Sequence, residues 1–508
     1  MHISKTGVLL ASIAAVSLTA CNAGQTTTPA QSDASSGTQQ EATTDGAQDS
    51  VTAALVDPPK NLDFTATAGA AIPTLLMNNV YETLVTTDLH GTFNGLLAKE
   101  WEISPDGKTY TFKLVDNATF STGEPFNAQT AKFTLDRLRN NEWANNKDEP
   151  MMVMESVEAP DDTTLVVQLS KPSQQFLFLL STHVGAMMHP DHIDNLEQNA
   201  VGTGPYKIGE FVAEQKAVLE ARDDARQPVD VKTATFRYIS DATTAVNALR
   251  SGDVDILWSM QATQQLDSLK ADYNVMEGAT TNKVLLIFNN AAPPFDKVEA
   301  RKAVASAIDT DALITASDGR GTPLTAPVAT TDPWSLSDGG PVFDLDAARS
   351  MASASGLTSF AMKVPTLPYA QSAAELVNAQ LSAAGISTTI ESAEFPAVWL
   401  DEVYKNRNYQ ATIIAHVEPR DLPGLVRPEY YWGVQDASLV QKLEDADAMI
   451  DPDASNTAMQ AVVKEIQDQM LVVPLYQLPN TVVTRKSISG VQADQPIPNL
   501  NMTTIEVE

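Results

Sequence analysis

Residues 98–140, AKEWEISPDGKTYTFKLVDNATFSTGEPFNAQTAKFTLDRLRN, leave the backbone little choice. Asp106-Gly107 lies between two extended runs and predicts a hairpin with a primed turn, because both residue types tolerate positive φ. In the second run Tyr110, Phe112 and Leu114 alternate with Thr109, Thr111 and Lys113, the pattern of a half-buried strand. Gly123 to Pro125 mark a second turn. Asn127 is placed to cap a helix on which Ala131, Leu135 and Leu138 recur at i, i+4, i+7. The stretch therefore reads strand, turn, strand, turn, helix, a mixed α/β module.

The remaining chain supplies enough material for several such modules. It has 508 residues, of which 43% are apolar, and that length suggests roughly two to four domains. The 64 acidic against 33 basic side chains give a formal net charge of -31. Such an excess repels phosphate backbones and anionic lipid headgroups, so nucleic acid is excluded as a partner. Solubility is the plainer account of the acidity, attraction of a cationic substrate the sharper one. The one cysteine, Cys21, rules out an intramolecular disulfide, and the fold must rely on packing.

Cys21 is informative through its position. Val8 to Val16 form an apolar run too short to span a bilayer, preceded by Lys5 and followed by Leu18-Thr19-Ala20-Cys21. This is the plan of a signal peptide, residues 1–20, with small residues before the cut. Leu-Thr-Ala-Cys resembles the bacterial lipobox, which implies a diacylglycerol thioether on Cys21 and a membrane anchor at the new N-terminus. From 21 to 50 the chain is Thr, Ser, Gln, Ala, Gly and Asp with hardly an apolar side chain, the composition of a disordered tether.

Folded sequence is expected from residues 53–56, and 77–85, MNNVYETLV, reads as a helix. Residues 163–169 read as a strand and 176–180 as a buried segment. Val201-Gly202-Thr203-Gly204-Pro205-Tyr206 forces a tight backbone path, and no Gly-Lys-Ser/Thr follows to make it a phosphate loop. Residues 244–250 read as a helix ended by Gly252, with Val254 and Ile256 beginning a strand. Residues 285–290 read as a buried strand, Pro293-Pro294-Phe295 as a turn and 298–308 as a helix, with Arg301 expected to pair with an acidic neighbour. A helix stopped at Gly356 comes next. A strand at Lys363-Val364, a helix through Val377 and Leu381 to Gly385, and a strand at Ile386, Thr388 and Ile390 then make a β-α-β unit and imply parallel sheet.

Several of these segments together resemble one family, in its order. WEISPDGKTYTFKL with the Gly-x-Pro-Phe-Asn-Ala turn and LDRL, then GTGPY, SGDVDI, the pattern Asn-x-x-x-Pro-Phe-Asp-x-x-x-x-Arg-x-Ala-x-x-x-Ala-Ile-Asp, and VVPLYQLPNTVVTRKSISGV are similar to the family 5 extracellular solute-binding proteins of ABC transporters, the peptide- and nickel-binding group. The resemblance implies an α/β, two-lobed periplasmic-binding-protein-like fold of type II, in its large peptide-binding subclass, with an extra small α/β domain. It divides the mature chain into lobe I (51–85 with 202–280 and 476–508), the small domain (86–201) and lobe II (281–475). It further implies a monomeric, extracytoplasmic lipoprotein, in a periplasmic space or on the outer face of the cell membrane. Such a protein hands peptides to permease subunits and performs no covalent chemistry. No cofactor or resident metal is expected.

A ligand closed between lobes is held by loops at strand ends. The richest such stretch follows the apolar strand 411–414: His416, Glu418, Arg420 and Asp421, then Arg427, Tyr430, Tyr431 and Trp432. In peptide-binding relatives the corresponding loop supplies an acidic residue for the peptide's α-ammonium. This loop departs from their usual Asp-x-x-Asp-Pro-Asp form, so Asp421 and Glu418 both stand as acceptors, and Arg420 and Arg427 both stand as receivers of a carboxylate. An internal salt bridge among these charges is the plainer alternative. The three aromatics either line a pocket or are simply buried between lobes. Tyr81, in a Tyr-Glu-x-Leu segment, is a further candidate beside a core-packing role. His189 and His192 stand three apart around Pro190 with no third ligand nearby, so a surface turn explains them better than metal. Rival cargoes are a nickel chelate, haem, glutathione or an oligosaccharide. Rival classes are a secreted hydrolase with a triad dispersed in sequence and a surface adhesin or sensor.

Overall fold

The computed structural model describes residues 49–508 apart from 68, 90, 141, 144–152, 261–262 and 317–318. The signal peptide, Cys21 and the tether up to residue 48 lie outside the described residues. Three large sheets organise the described part. A seven-stranded sheet runs, edge to edge, Tyr273–Gly278, Asn480–Arg485, Ile256–Leu257, Ser50–Leu55, Thr233–Tyr238, Lys216–Ala221 and Tyr206–Val212. A six-stranded sheet runs Thr322–Pro323, Val472–Gln477, Lys283–Phe288, Ala411–His416, Ser359–Pro365 and Ser387–Ala393. A four-stranded antiparallel sheet is built from Ala98–Ile103, Thr109–Leu114, Thr164–Leu169 and Met154–Asp161, in that order. This is the two-lobed type II binding-protein fold with an extra small domain.

Most of the opening stretch folds as read. Tyr110, Phe112 and Leu114 are buried, and the Asn127 side chain accepts from the amides of Gln129 and Thr130 in a capping box over the helix Ala128–Arg139. The turn differs. Only Gly107 has positive φ (71°), and Asp106 instead uses its carboxylate to accept from Ser104 Oγ and the Lys108 amide across a longer loop. The β-α-β unit is present: Ser359–Pro365 pairs in parallel with Ser387–Ala393 around the helix Pro368–Ala383.

Two local expectations are overturned. Residues 77–85 are not helical: the helix is Ala71–Leu76, and the chain turns at Asn78 with φ 64°. Asn79 explains the break, because its side chain donates to the carbonyls of Leu75 and Leu500 and so fastens the turn to the C-terminal segment. The GTGPY glycines serve the same turn. A Cβ at Gly202 would sit 2.0 Å from the Val80 carbonyl and one at Gly204 2.4 Å from that of Asn79. Arg301 also departs from expectation. It donates to the carbonyls of Phe295, Gln469 and Met470 rather than to a carboxylate.

The apolar cores are distributed unequally. One continuous core joins residues of the seven-stranded sheet, such as Ala53, Leu219 and Phe236, to residues of the four-stranded sheet, such as Phe112 and Leu165, and of the helix Ala128–Arg139, such as Leu135. The six-stranded sheet has its own cores, one containing Val284, Leu286 and Val377, the other Leu285, Trp432 and Leu443. The backbone passes between the seven- and six-stranded sheets at residues 279–282 and 478–479. These two crossings are tied together, since Thr280 Oγ1 donates to the Leu478 carbonyl and the Leu478 amide to that of Asn282.

Candidate functional site

The site begins with strand pairing. Lys283 and His416 are partners at the ends of the antiparallel strands Lys283–Phe288 and Ala411–His416, so both side chains emerge beside the loop that follows His416. The Lys283 side chain is fully buried. Its Nζ donates to the Glu418 carbonyl at 2.8 Å and to the Thr281 carbonyl at 3.3 Å, and lies 3.2 Å from Asp421 Oδ1. Thr281 donates to the Val417 carbonyl. The loop is thereby pinned to the segment 279–282 that passes between the two large sheets.

Asp421 carries the balancing charge. Burial alone would push its carboxyl up, but the Lys283 ammonium and the neighbouring His416 outweigh it and hold the carboxyl below its ordinary value. His416 Nδ1 lies 3.5 Å from Asp421 Oδ2, and its Nε2 lies 2.9 Å from the Tyr431 hydroxyl. Asp332, buried in the loop before Trp334, completes the group: burial pushes its carboxyl up to about 6, against the pull of Lys283 and Arg420.

Arg420 is held in a conformation uncommon for a residue with a Cβ, φ 53°. Its guanidinium lies 3.9 Å over the Phe178 ring and 5.9 Å from that of Trp334, two cation–π contacts from segments far apart in sequence. Burial lowers its pKa to about 10, with Asp332 opposing. No hydrogen bond or ion pair joins the guanidinium to another described residue. Glu418 likewise has no ion-pair partner among the described residues, and its charge acts on His183, whose imidazole burial pushes below its ordinary value. His183 belongs to an aromatic cluster with Phe64, Tyr81 and Trp143.

The remaining sequence candidates lie partly beside this group and partly elsewhere. Tyr430 packs against His416, Tyr404 and Tyr431. Tyr431 and Trp432 are enclosed in the core beneath. Arg427 faces Glu429 and Glu444, each at 3.9 Å. Tyr81 is fully buried with its ring edge on Phe64, 5.3 Å between centroids. His189 and His192 sit apart in a short turn, with His192 Nε2 3.2 Å from Glu124. No group of three potential ligands for a metal ion occurs among the described residues. The sequence reading missed Lys283, Asp332, Trp334, Phe178 and His183. Lys283 alone left a signal, a lysine opening an otherwise apolar strand. A groove of about 730 Å3, lined by Asn78, Glu82, Asp88, Asn94, Asp494 and Asn501 among others, lies elsewhere and includes no residue of the 416–433 loop.

The family model for bacterial extracellular solute-binding proteins, family 5, matches residues 92–421, well over half of the chain. The protein belongs to that family. Among the curated relatives of this family 5 chain, a putative ABC transporter peptide-binding protein of Brucella ovis is 36% identical over 234 residues, 43% of this chain and 44% of that protein. The nickel-binding periplasmic protein of Escherichia coli is 30% identical over 252 residues, 46% of this chain and 47% of that one. The chain thus spans less than half the length of each. A dipeptide-binding protein of Pseudoalteromonas in complex with Met-Leu superimposes with a TM-score of 0.81 at 19% identity, over 90% of this chain and all of that one. At that identity the likeness concerns the fold.

Proposed function

We propose that this family 5 chain is the solute-capturing subunit of an ABC importer and that its cargo is a small peptide held between lobes I and II at the 416–433 loop. The observation that carries the reading is a half-buried loop in which Glu418 has no ion-pair partner among the described residues and the Arg420 guanidinium, though it feels the Asp332 charge, makes no direct hydrogen bond or ion pair among them, while Lys283 and Asp421 already face each other at 3.2 Å. A zwitterionic ligand matches that pair: Glu418 receives an ammonium and Arg420 a carboxylate, while the aromatic walls exclude water and strengthen both contacts. Asp421 serves as the anchor of the loop. Ligand favours closure by as much as its affinity for the closed form exceeds that for the open one.

The same reading takes lobe I as 51–85, 202–280 and 476–508, the small domain as 86–201 and lobe II as 281–475. It places a lipid anchor at Cys21 after removal of residues 1–20, with 21–50 as tether, and a monomer outside the cytoplasm that delivers its ligand to permease subunits without chemical change. Titration calorimetry with a dipeptide panel tests it. Glu418→Gln and Arg420→Gln should each weaken the best ligand by about 10- to 100-fold; unchanged affinity in both removes the site assignment. A nickel chelate is the second reading, favoured by the Escherichia coli relative and by His183 beside Glu418. Heat on adding nickel with free histidine, and none with peptides, selects it.

A further inference from the structure

Phe178 is buried yet belongs to none of the apolar cores; it packs under Arg420 instead. It ends a strip of the small domain, residues 171–178, that meets lobe II along a second line of contact outside the candidate ligand site. Lys171 Nζ lies 3.4 Å from Glu444 Oε2. The Gln174 amide donates to the Asp447 carbonyl at 3.0 Å and the Gln175 amide to Asp447 Oδ1 at 2.9 Å. Gln174 Nε2 donates to the carbonyls of Met449 at 2.8 Å and Ile450 at 3.0 Å. Every one of these contacts is polar. None of the apolar cores crosses from the small domain into lobe II, whereas one core runs unbroken from the small domain into lobe I.

An unbroken apolar core moves as one body, because separating it exposes all its buried surface at once. A polar seam parts far more easily, since water replaces each lost hydrogen bond at small net cost. When lobe II swings open about residues 279–282 and 478–479, this seam must therefore open with it while the small domain stays on lobe I. We propose that residues 171–178 and the 444–450 corner of lobe II form a latch that closes independently of ligand and sets how much of the ligand-free protein is shut, Asp447 being its pin. The proposal rests on reading the chain as a capture protein that opens and closes. A shut ligand-free fraction matters because ligand enters only the open form and is retained only in the closed one, so the latch tunes affinity without touching the cargo.

The test uses the full chain with Cys21 replaced and spin labels at Asp230 and Asp311, one on each side of the crossing. The inter-label distance distribution is recorded without ligand. Asp447→Ala should lower the closed-to-open ratio about tenfold, and Asp447→Asn, which keeps the acceptor for the Gln175 amide, should lower it much less. If Asp447→Ala does not fold, Gln174→Ala, which removes only the side-chain bonds, should still lower the ratio about two- to threefold. An unchanged distribution in the folded variants overturns the latch. The outcome is independent of the cargo: a shift without any peptide binding leaves the latch standing while the peptide reading falls, and peptide binding without a shift does the reverse.

Discussion

The small domain is joined to its two neighbours by opposite means. Toward lobe I it shares an apolar core and is stitched by Arg222, whose guanidinium donates to the carbonyls of Thr119, Phe120 and Gly204. Toward lobe II it offers an ion pair, a few hydrogen bonds and one cation–π contact. On the proposed domain division, the small domain is expected to travel with lobe I, and lobe II to approach and leave it.

The largest effect is expected on the apolar side. Phe120, fully buried in the shared core, should cost about 3–5 kcal/mol when changed to alanine, lowering the calorimetric transition of lobe I and the small domain together. Separate transitions for the two would show that the join is not one body. Next comes the charge cluster beneath the candidate ligand loop. Lys283→Met leaves Asp421 buried and unpaired and should cost about 3 kcal/mol in urea unfolding, part of which returns in Lys283→Met/Asp421→Asn. A single variant as stable as the parent would mean that Lys283 does not hold the loop.

Asp332 makes the stability of the charged side depend on pH. Its folded value, about 6, lies above the ordinary 3.8, so the folded chain binds the extra proton and the benefit of the neutral acid is lost as pH rises from about 4 through about 6. Asp332→Asn should remove that slope and add roughly 2–3 kcal/mol at pH 7. A variant less stable than the parent at pH 7 would show that Lys283 and Arg420 need the negative charge. The smallest effect belongs to the seam's exposed pair: Lys171→Ala should change global stability by under about 1 kcal/mol, both partners being well solvated. A loss of several kcal/mol would make the seam part of the core rather than a latch.

The parts of the fold legible in sequence were those specified within a few residues: the alternation of Tyr110, Phe112 and Leu114, the Asn127 cap and the glycine stops of helices. The helix expected over 77–85 failed because Asn79 answers to Leu500, more than four hundred positions away, and no local pattern encodes that. The Arg301 pairing failed likewise, its carbonyl acceptors including those of Gln469 and Met470 on a distant segment. For the candidate site, the loop after Ala411–His416 was visible as a cluster of charged and aromatic residues at a strand end. Which charges neutralise one another was not, because Lys283, Asp332 and Phe178 reach that loop only through sheet pairing and domain contact.

Capture of a small ligand without turnover is tested by native mass spectrometry of the purified chain lacking residues 1–21. A bound species is expected that is released intact on denaturation, with a mass composed of amino-acid residues, and that is lost in Arg420→Gln. A bound species of another composition would contradict the peptide cargo, and conversion of added peptide into fragments would contradict capture itself.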